Sequence, residues 1–162
     1  MASPGPKLAL GGILRRLVHD GILSDEQARQ ATEASQKEKQ SVVRYLVSNN
    51  IVSGRQVATA AMQEFGLPVV DLDSLDPEMQ PISLVDNKLI EKHRAVPLHR
   101  RGNRIYLAVA DPTNMVALDE FKFATGLTTE PVLVEDDKLT KRIDQILAAE
   151  EVGSGVEDLD ED

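Results

Sequence analysis

The chain has 162 residues, 41% of them hydrophobic, 3% aromatic and none of them cysteine. That suits one ordinary domain or two small ones with an aliphatic core, and it excludes a disulfide framework and any thiolate metal site. The net charge of −9 is uneven: residues 1–66 carry eight Lys/Arg against six Asp/Glu, residues 67–149 ten against fourteen, and residues 150–162 seven acids and no base.

Residues 1–10 hold Pro4, Gly5 and Pro6 and read as disordered. Their apolar run is too short for a signal peptide, and no segment approaches the length of a membrane span. Four helices are expected over residues 11–66. LVHDGILSDEQARQATEAS (17–35) is answered by LVSNNIVSGRQVATAAMQE (46–64), 29 residues on. The copies agree at Leu17/Leu46, Val18/Val47, Ile22/Ile51, Ser24/Ser53, Gln27/Gln56 and Ala31/Ala60. Gly21 stands opposite Asn50, the two residue types that best tolerate left-handed backbone, so each copy ends a short helix there. Ser24 and Ser53 then open longer helices, each with Gln three residues on, at capping-box spacing. The reading is a duplicated helix-turn-helix unit, stacked on its twin to bury an apolar face.

Gly66-Leu67-Pro68 ends the helices, and the period changes. VVDL (69–72) is expected as a short strand, residues 84–93 as a helix, and residues 95–98 and 104–110 as strands joined by a Gly102-Asn103 hairpin. Asp111-Pro112 stops the second strand, with Asn114 as N-cap of a helix carrying Val116, Leu118, Phe121, Phe123 and Ala124. Residues 130–135 form another strand. A last helix runs from about Asp136 to Ala149, with Leu139, Ile143, Ile146 and Leu147 inward. The fold class is therefore α+β: a four-helix subdomain (11–66), then a small α+β subdomain (67–149) with a mixed or antiparallel sheet. Residues 150–162 read as an acidic flexible linker.

The chain offers little chemistry. It has no G-x-x-x-x-G-K-[ST] and hence no P-loop. Gly11-Gly12 lacks the strand and third glycine of a dinucleotide fingerprint. His19, His93 and His99 lie on different elements and read as surface or helix-end residues rather than ligands. Asp136-Asp137 stand in a first helical turn, where acids complement the dipole. Arg100, Arg101 and Arg104 crowd the hairpin tip. A polar turn explains them, and a bound phosphate or acidic partner is the alternative. The helical half lacks a basic stripe with interleaved aromatics, which argues against nucleic acid.

Three strings, EFGLPVVDLDSLD (64–76), HRAVPLHRRGNRIYLAVADPTN (93–114) and ALDEFKFATGLTTEPVLVEDDKL (117–139), carry a family resemblance. Over residues 8–149 the chain resembles the N-terminal region of the PilB family, the type IV pilus assembly ATPases of the secretion-ATPase superfamily. The resemblance implies a non-catalytic regulatory half whose acidic linker leads towards an ATPase domain. ATP and Mg would belong to that domain and no cofactor to this one. It also implies a cytoplasmic protein, peripheral at the inner membrane and the pilus platform there, hexameric at full length and monomeric as this fragment.

In relatives, a duplicated module of this kind binds cyclic di-GMP through a repeated Arg-Leu-Gly motif with a later Gln. Here those slots hold Gly12, Ile13 and Leu14 in the first copy and Ser41, Val42 and Val43 in the second; the Gln slots hold Ser35 and Glu64. The packing residues persist and the recognition residues do not, leaving only Arg15 and Arg16 as nearby substitutes. The resemblance then implies docking of the PilZ adaptor, which links the motor to a cyclic di-GMP receptor such as FimX. Ile13, Arg16, Val42 and Tyr45 are the candidate partner-binding residues. The apolar surplus at Leu8, Leu10, Ile13, Val42 and Tyr45 fits either a docking patch or packing against the α+β half. Direct cyclic di-GMP binding and a DNA-binding helix-turn-helix fragment are the alternatives.

Overall fold

The computed structural model describes residues 12–77 and 80–160, with side chains up to Glu150. The expectation of disorder over 1–10 lies outside these residues, as do Leu8 and Leu10. Helices α1 (Gly12–His19), α2 (Asp25–Lys37), α3 (Val42–Ser48) and α4 (Gly54–Phe65) build the first half. α1 packs on α4, and α2 on α3.

The duplication holds at the level of single hydrogen bonds. Gly21 and Asn50 are both left-handed, at φ 75° and 57°. Ile22 N–H donates to the Leu17 carbonyl at 2.9 Å, and Ile51 N–H to that of Leu46 at 3.0 Å. Both capping boxes are complete, Ser24 with Gln27 and Ser53 with Gln56. Each satisfies two amide groups that the helix start would otherwise leave unpaired. Ser24→Ala and Ser53→Ala are each expected to cost about 1 kcal/mol, a fall of roughly 2–4 °C in Tm on thermal denaturation. A cost at one site only would mean that the copies do not share load as they share geometry.

The second half holds α5 (Asn87–His93), β1 (Val96–Arg101), β2 (Arg104–Val109), α6 (Met115–Thr125), β3 (Thr128–Leu133) and α7 (Asp136–Asp160). The sheet is mixed, in the order β1-β2-β3, with β1 antiparallel and β3 parallel to β2. Gly102 makes the hairpin turn at φ 60°, and Asn114 caps α6 by accepting from Ala117 N–H. The Leu139 and Ile143 side chains on α7 are buried.

Several expectations need correction. Residues 69–72 are not a strand. Val69 alone bridges to Leu133, while Asp71 accepts from Asp73 N–H and diverts the chain into a 3₁₀ turn at Leu72–Ser74. Leu84 closes a separate 3₁₀ turn, and α5 starts only at Asn87, where Asp86 caps it by accepting from Lys88 N–H. α6, for which no inner face was expected, buries Ala117, Leu118 and Phe121 and leaves Val116 and Phe123 facing solvent, Phe123 at 90% exposure. α7 also runs past Ala149 to Asp160, so the backbone of the expected linker is helical in that stretch. An anchored helix gains one hydrogen bond per added residue, which carries it on through Gly153 and Gly155.

The change of period near residue 66 does not divide the core. One continuous apolar cluster runs from Leu17 and Leu46 through Val57 and Leu72 to Ile105, Phe121 and Leu139. α7 binds the halves together by packing on α3 and α4 as well as on α5 and β2.

Candidate functional site

The motif slots of the duplicated module are occupied by the fold itself. Gly12 lies against α4: a Cβ there would sit 3.0 Å from the Phe65 ring and 3.1 Å from Glu64 Cγ, closer than such contacts normally come. The glycine therefore serves close helix packing. Ile13 and Leu14 are buried at 4% and 3% exposure. In the second copy Ser41 caps α3 by accepting from Arg44 N–H, Val43 is buried, and Val42 packs half-buried against the core. The two later slots are absorbed as well. Ser35 is buried and donates to the Thr32 carbonyl at 3.0 Å, while Glu64 lies 3.5 Å from Arg15.

The four residues expected on a docking surface are equivalent in pairs across the repeat, Ile13 with Val42 and Arg16 with Tyr45. Their environments are not those of an exposed apolar patch. Ile13 is in the core at 4% exposure, so of its two expected places, docking patch or packing, it takes packing. Val42 and Tyr45 are half-buried and packed against the core. Arg16 is partly exposed and pairs with Asp20 at 3.3 Å. The hydrogen bond from His19, then the Arg16 charge, hold the Asp20 carboxyl below its ordinary range.

Sequence reasoning missed the junction between the halves. Asp136 is not only a helix-dipole acid. Its side chain is 1% exposed and takes Arg44 from α3 at 3.3 Å and Arg94 from the end of α5 at 2.9 Å. Arg94 also donates to Thr140 Oγ1 at 2.6 Å. Arg44 is the repeat partner of Arg15, whose guanidinium is 72% exposed. The duplicated arginine has thus taken two fates, one at the surface and one in an inter-half ion pair. The only hint in the sequence is an acid at the first turn of a helix that has apolar residues on more than one side.

Beside this junction lies a cleft of about 360 Å³ lined by Lys39, Ser41, Lys92, His93, Arg94 and Asp111 among others. Two of its cations are engaged, Arg94 on Asp136 at 2.9 Å and Lys92 on Glu120 at 3.7 Å, and His93 Nε2 is hydrogen-bonded to the same Glu120 at 2.5 Å. The His93 hydrogen bond is the main reason that the Glu120 carboxyl ionises below its usual range. On the far face of the junction, Lys138 bridges Asp71 at 2.9 Å and Glu135 at 3.2 Å, which raises its pKa. Among the described residues, no group of three His, Asp or Glu is placed to hold a metal ion, and no helix is long and apolar enough to cross a membrane.

This arrangement of helices and mixed sheet is similar in fold to two solved structures. The N-terminal domain of XpsE matches with a TM-score of 0.64 at 25% identity, over 82% of this chain and 92% of that one. A structure of MshE with cdg (cyclic di-GMP) matches with a TM-score of 0.60 at 25% identity, over 82% and 96%. The class is therefore that of the N-terminal domains of XpsE and MshE. The MshEN domain profile matches residues 65–153, and the chain belongs to that family. Type IV pilus assembly ATPase PilB of Pseudomonas aeruginosa is 40% identical over 94% of the chain and 27% of its own length. PilB of Acinetobacter baylyi is 39% identical over 83% and 23%, and PilB of Myxococcus xanthus 31% over 88% and 25%. The chain spans about a quarter of the length of these relatives and corresponds to their N-terminal regions.

Proposed function

We propose that this region is a non-catalytic docking platform of a type IV pilus assembly ATPase. It receives a PilZ adaptor and, through it, the signal of a cyclic di-GMP receptor such as FimX. ATP and Mg belong to the remainder of the protein, which works in the cytoplasm as a multimer against the inner-membrane platform. One observation carries the reading. Every slot of the family's nucleotide motif is spent on packing, capping or an internal ion pair: Gly12 on Phe65, Ile13, Leu14 and Val43 in the core, Ser41 as a cap and Glu64 beside Arg15. A module that has kept its packing and lost those ligand groups favours a protein partner over the nucleotide.

The test is co-elution. On size exclusion the chain and its cognate PilZ adaptor are expected to elute together, ahead of either alone. Independent elution at tens of micromolar would remove the proposal. Arg16→Glu and Tyr45→Ser probe the face. Asp at Val42 or Tyr45 is a poor probe, because both pack on the core and a buried charge would unfold α3.

The MshE structure favours a second reading, in which cyclic di-GMP binds directly. Calorimetry separates the two. No heat with the dinucleotide is expected here, and micromolar binding lost in Arg15→Ala or Arg16→Ala would establish the alternative.

A further inference from the structure

The tip of the β1–β2 hairpin holds three exposed guanidiniums within five residues, Arg100, Arg101 and Arg104. Side chains alternate between the faces of a strand, so the register decides which of them meet. Ile105 and Leu107 turn into the core, and Arg104 and Tyr106 therefore face outwards. On β1 the register slips by one residue between Pro97 and His99. An unbroken ladder would have set Arg100 on the outer face and turned His99 and Arg101 inwards. With the slip, His99 lies opposite Tyr106, Arg101 opposite Arg104, and Arg100 opposite buried Ile105. A bulge of this kind re-aims side chains. The outer face of the tip is thus a row of Arg101, Arg104 and, on β3, exposed Thr128, beside a row of His99, Tyr106 and Glu130.

Like charges in directly opposed positions destabilise a strand pair, and the fold offers this pair little in return. Arg104 has one distant carboxylate, Glu130 at 3.9 Å. The Arg101 side chain has no ion pair among the described residues. Gly102, at φ 60°, supplies the turn without either arginine. His99 and Tyr106 stack with ring centroids 6.3 Å apart, which stiffens the row behind them. The result is two guanidiniums, poorly neutralised from within, side by side on one firm face. Their pairing selects the anion. A carboxylate offers two oxygens and one charge, which a single guanidinium satisfies in bidentate fashion. A phosphate monoester offers three terminal oxygens and a charge of about −1.5 to −2, which match two guanidiniums. The Thr128 hydroxyl adds a neutral donor to the same row.

We propose that the outer face of the hairpin tip binds a phosphate monoester, held between the Arg101 and Arg104 guanidiniums. The bound dianion removes the repulsion between the two arginines, so binding steadies the tip. Arg100 points to the other face and takes no part. The site lies in the α+β half, apart from the motif slots of the duplicated helices, and does not depend on the adaptor-docking reading.

An NMR titration of the isotope-labelled 162-residue chain with inorganic phosphate, at constant ionic strength, tests this. Saturable amide shifts are expected at Arg101, Gly102, Arg104 and Thr128, and sodium acetate at the same concentrations should leave them unmoved. Arg101→Gln and Arg104→Gln should each weaken binding about tenfold, since each removes one set of charge-assisted hydrogen bonds. Arg100→Gln should keep the affinity within about twofold. All three variants should melt with the parent, because these side chains are exposed. GMP and O-phosphoserine then separate the sources of the group. Tighter binding of GMP assigns the phosphate to a nucleotide, and phosphoserine binding at least as tight assigns it to a modified protein side chain. Equal losses in all three variants, or acetate shifts equal to those of phosphate, would overturn the proposal, since the tip would then be a general basic surface. A linear, unsaturated response up to about 50 mM phosphate would overturn it too, because a site with two guanidiniums should reach millimolar affinity.

Discussion

Phe121→Ala should destabilise the protein by about 4 kcal/mol, whereas Phe123→Ala, two positions on, should change stability by no more than about 0.5 kcal/mol. Phe121 is fully buried among the sheet and helix side chains of the core, and Phe123 is 90% exposed on the opposite side of α6. Removing the first leaves a ring-sized void in a close-packed interior. Removing the second exposes nothing new. Chemical denaturation of both variants gives the two values, and comparable losses would mean that α6 is rotated about its axis from the arrangement described here.

The second large effect is expected at Asp136. Asp136→Ala leaves Arg44 and Arg94 facing each other without their shared carboxylate, in a junction that hides almost all of that carboxylate from water. Breaking a fully buried pair costs roughly 3–5 kcal/mol. Both arginines retain about a quarter of their exposure and recover some hydration, so about 2–3 kcal/mol is expected, with Tm lower by roughly 5–10 °C. A double-mutant cycle adds a specific signature: Arg94→Ala should cost less in the Asp136→Ala background than in the parent. Additive costs would show that the two groups do not share an energetic unit.

These two predictions also mark where the sequence is legible and where it is not. The duplicated frame was readable because its signals are local. A left-handed residue at 21 and at 50, and a Ser followed three residues on by Gln, each constrain the backbone within one turn. The hairpin at Gly102 and the cap at Asn114 belong to the same kind. α6 was harder because Met115, Val116, Leu118, Phe121 and Phe123 place apolar side chains all round the helix, and periodicity cannot choose a face. Ile13 was left between patch and packing for a related reason. α1 spans only eight residues, and which of its sides is inner depends on how closely Gly12 lets it approach Phe65.

The Asp136 junction was beyond reach for a different reason. Arg44 lies 92 positions from Asp136 and Arg94 lies 42, and no spacing rule connects residues that meet only in the folded chain. The candidate docking residues suffered both problems. Their helical positions were right, yet burial of Ile13 and partial burial of Val42 and Tyr45 follow from tertiary packing. The motif slots differ in kind, because a missing Arg or Gln is visible without any structure.

Asp136 has a mechanical consequence. It is the first residue of α7, so the two arginines grip that helix at its root while the far end stands about 37 Å away. Buried Leu139, Ile143 and Ile146 continue that grip over roughly three turns, so a push on α3 or α5 is borne by α7 as one rigid unit rather than by its first turn alone.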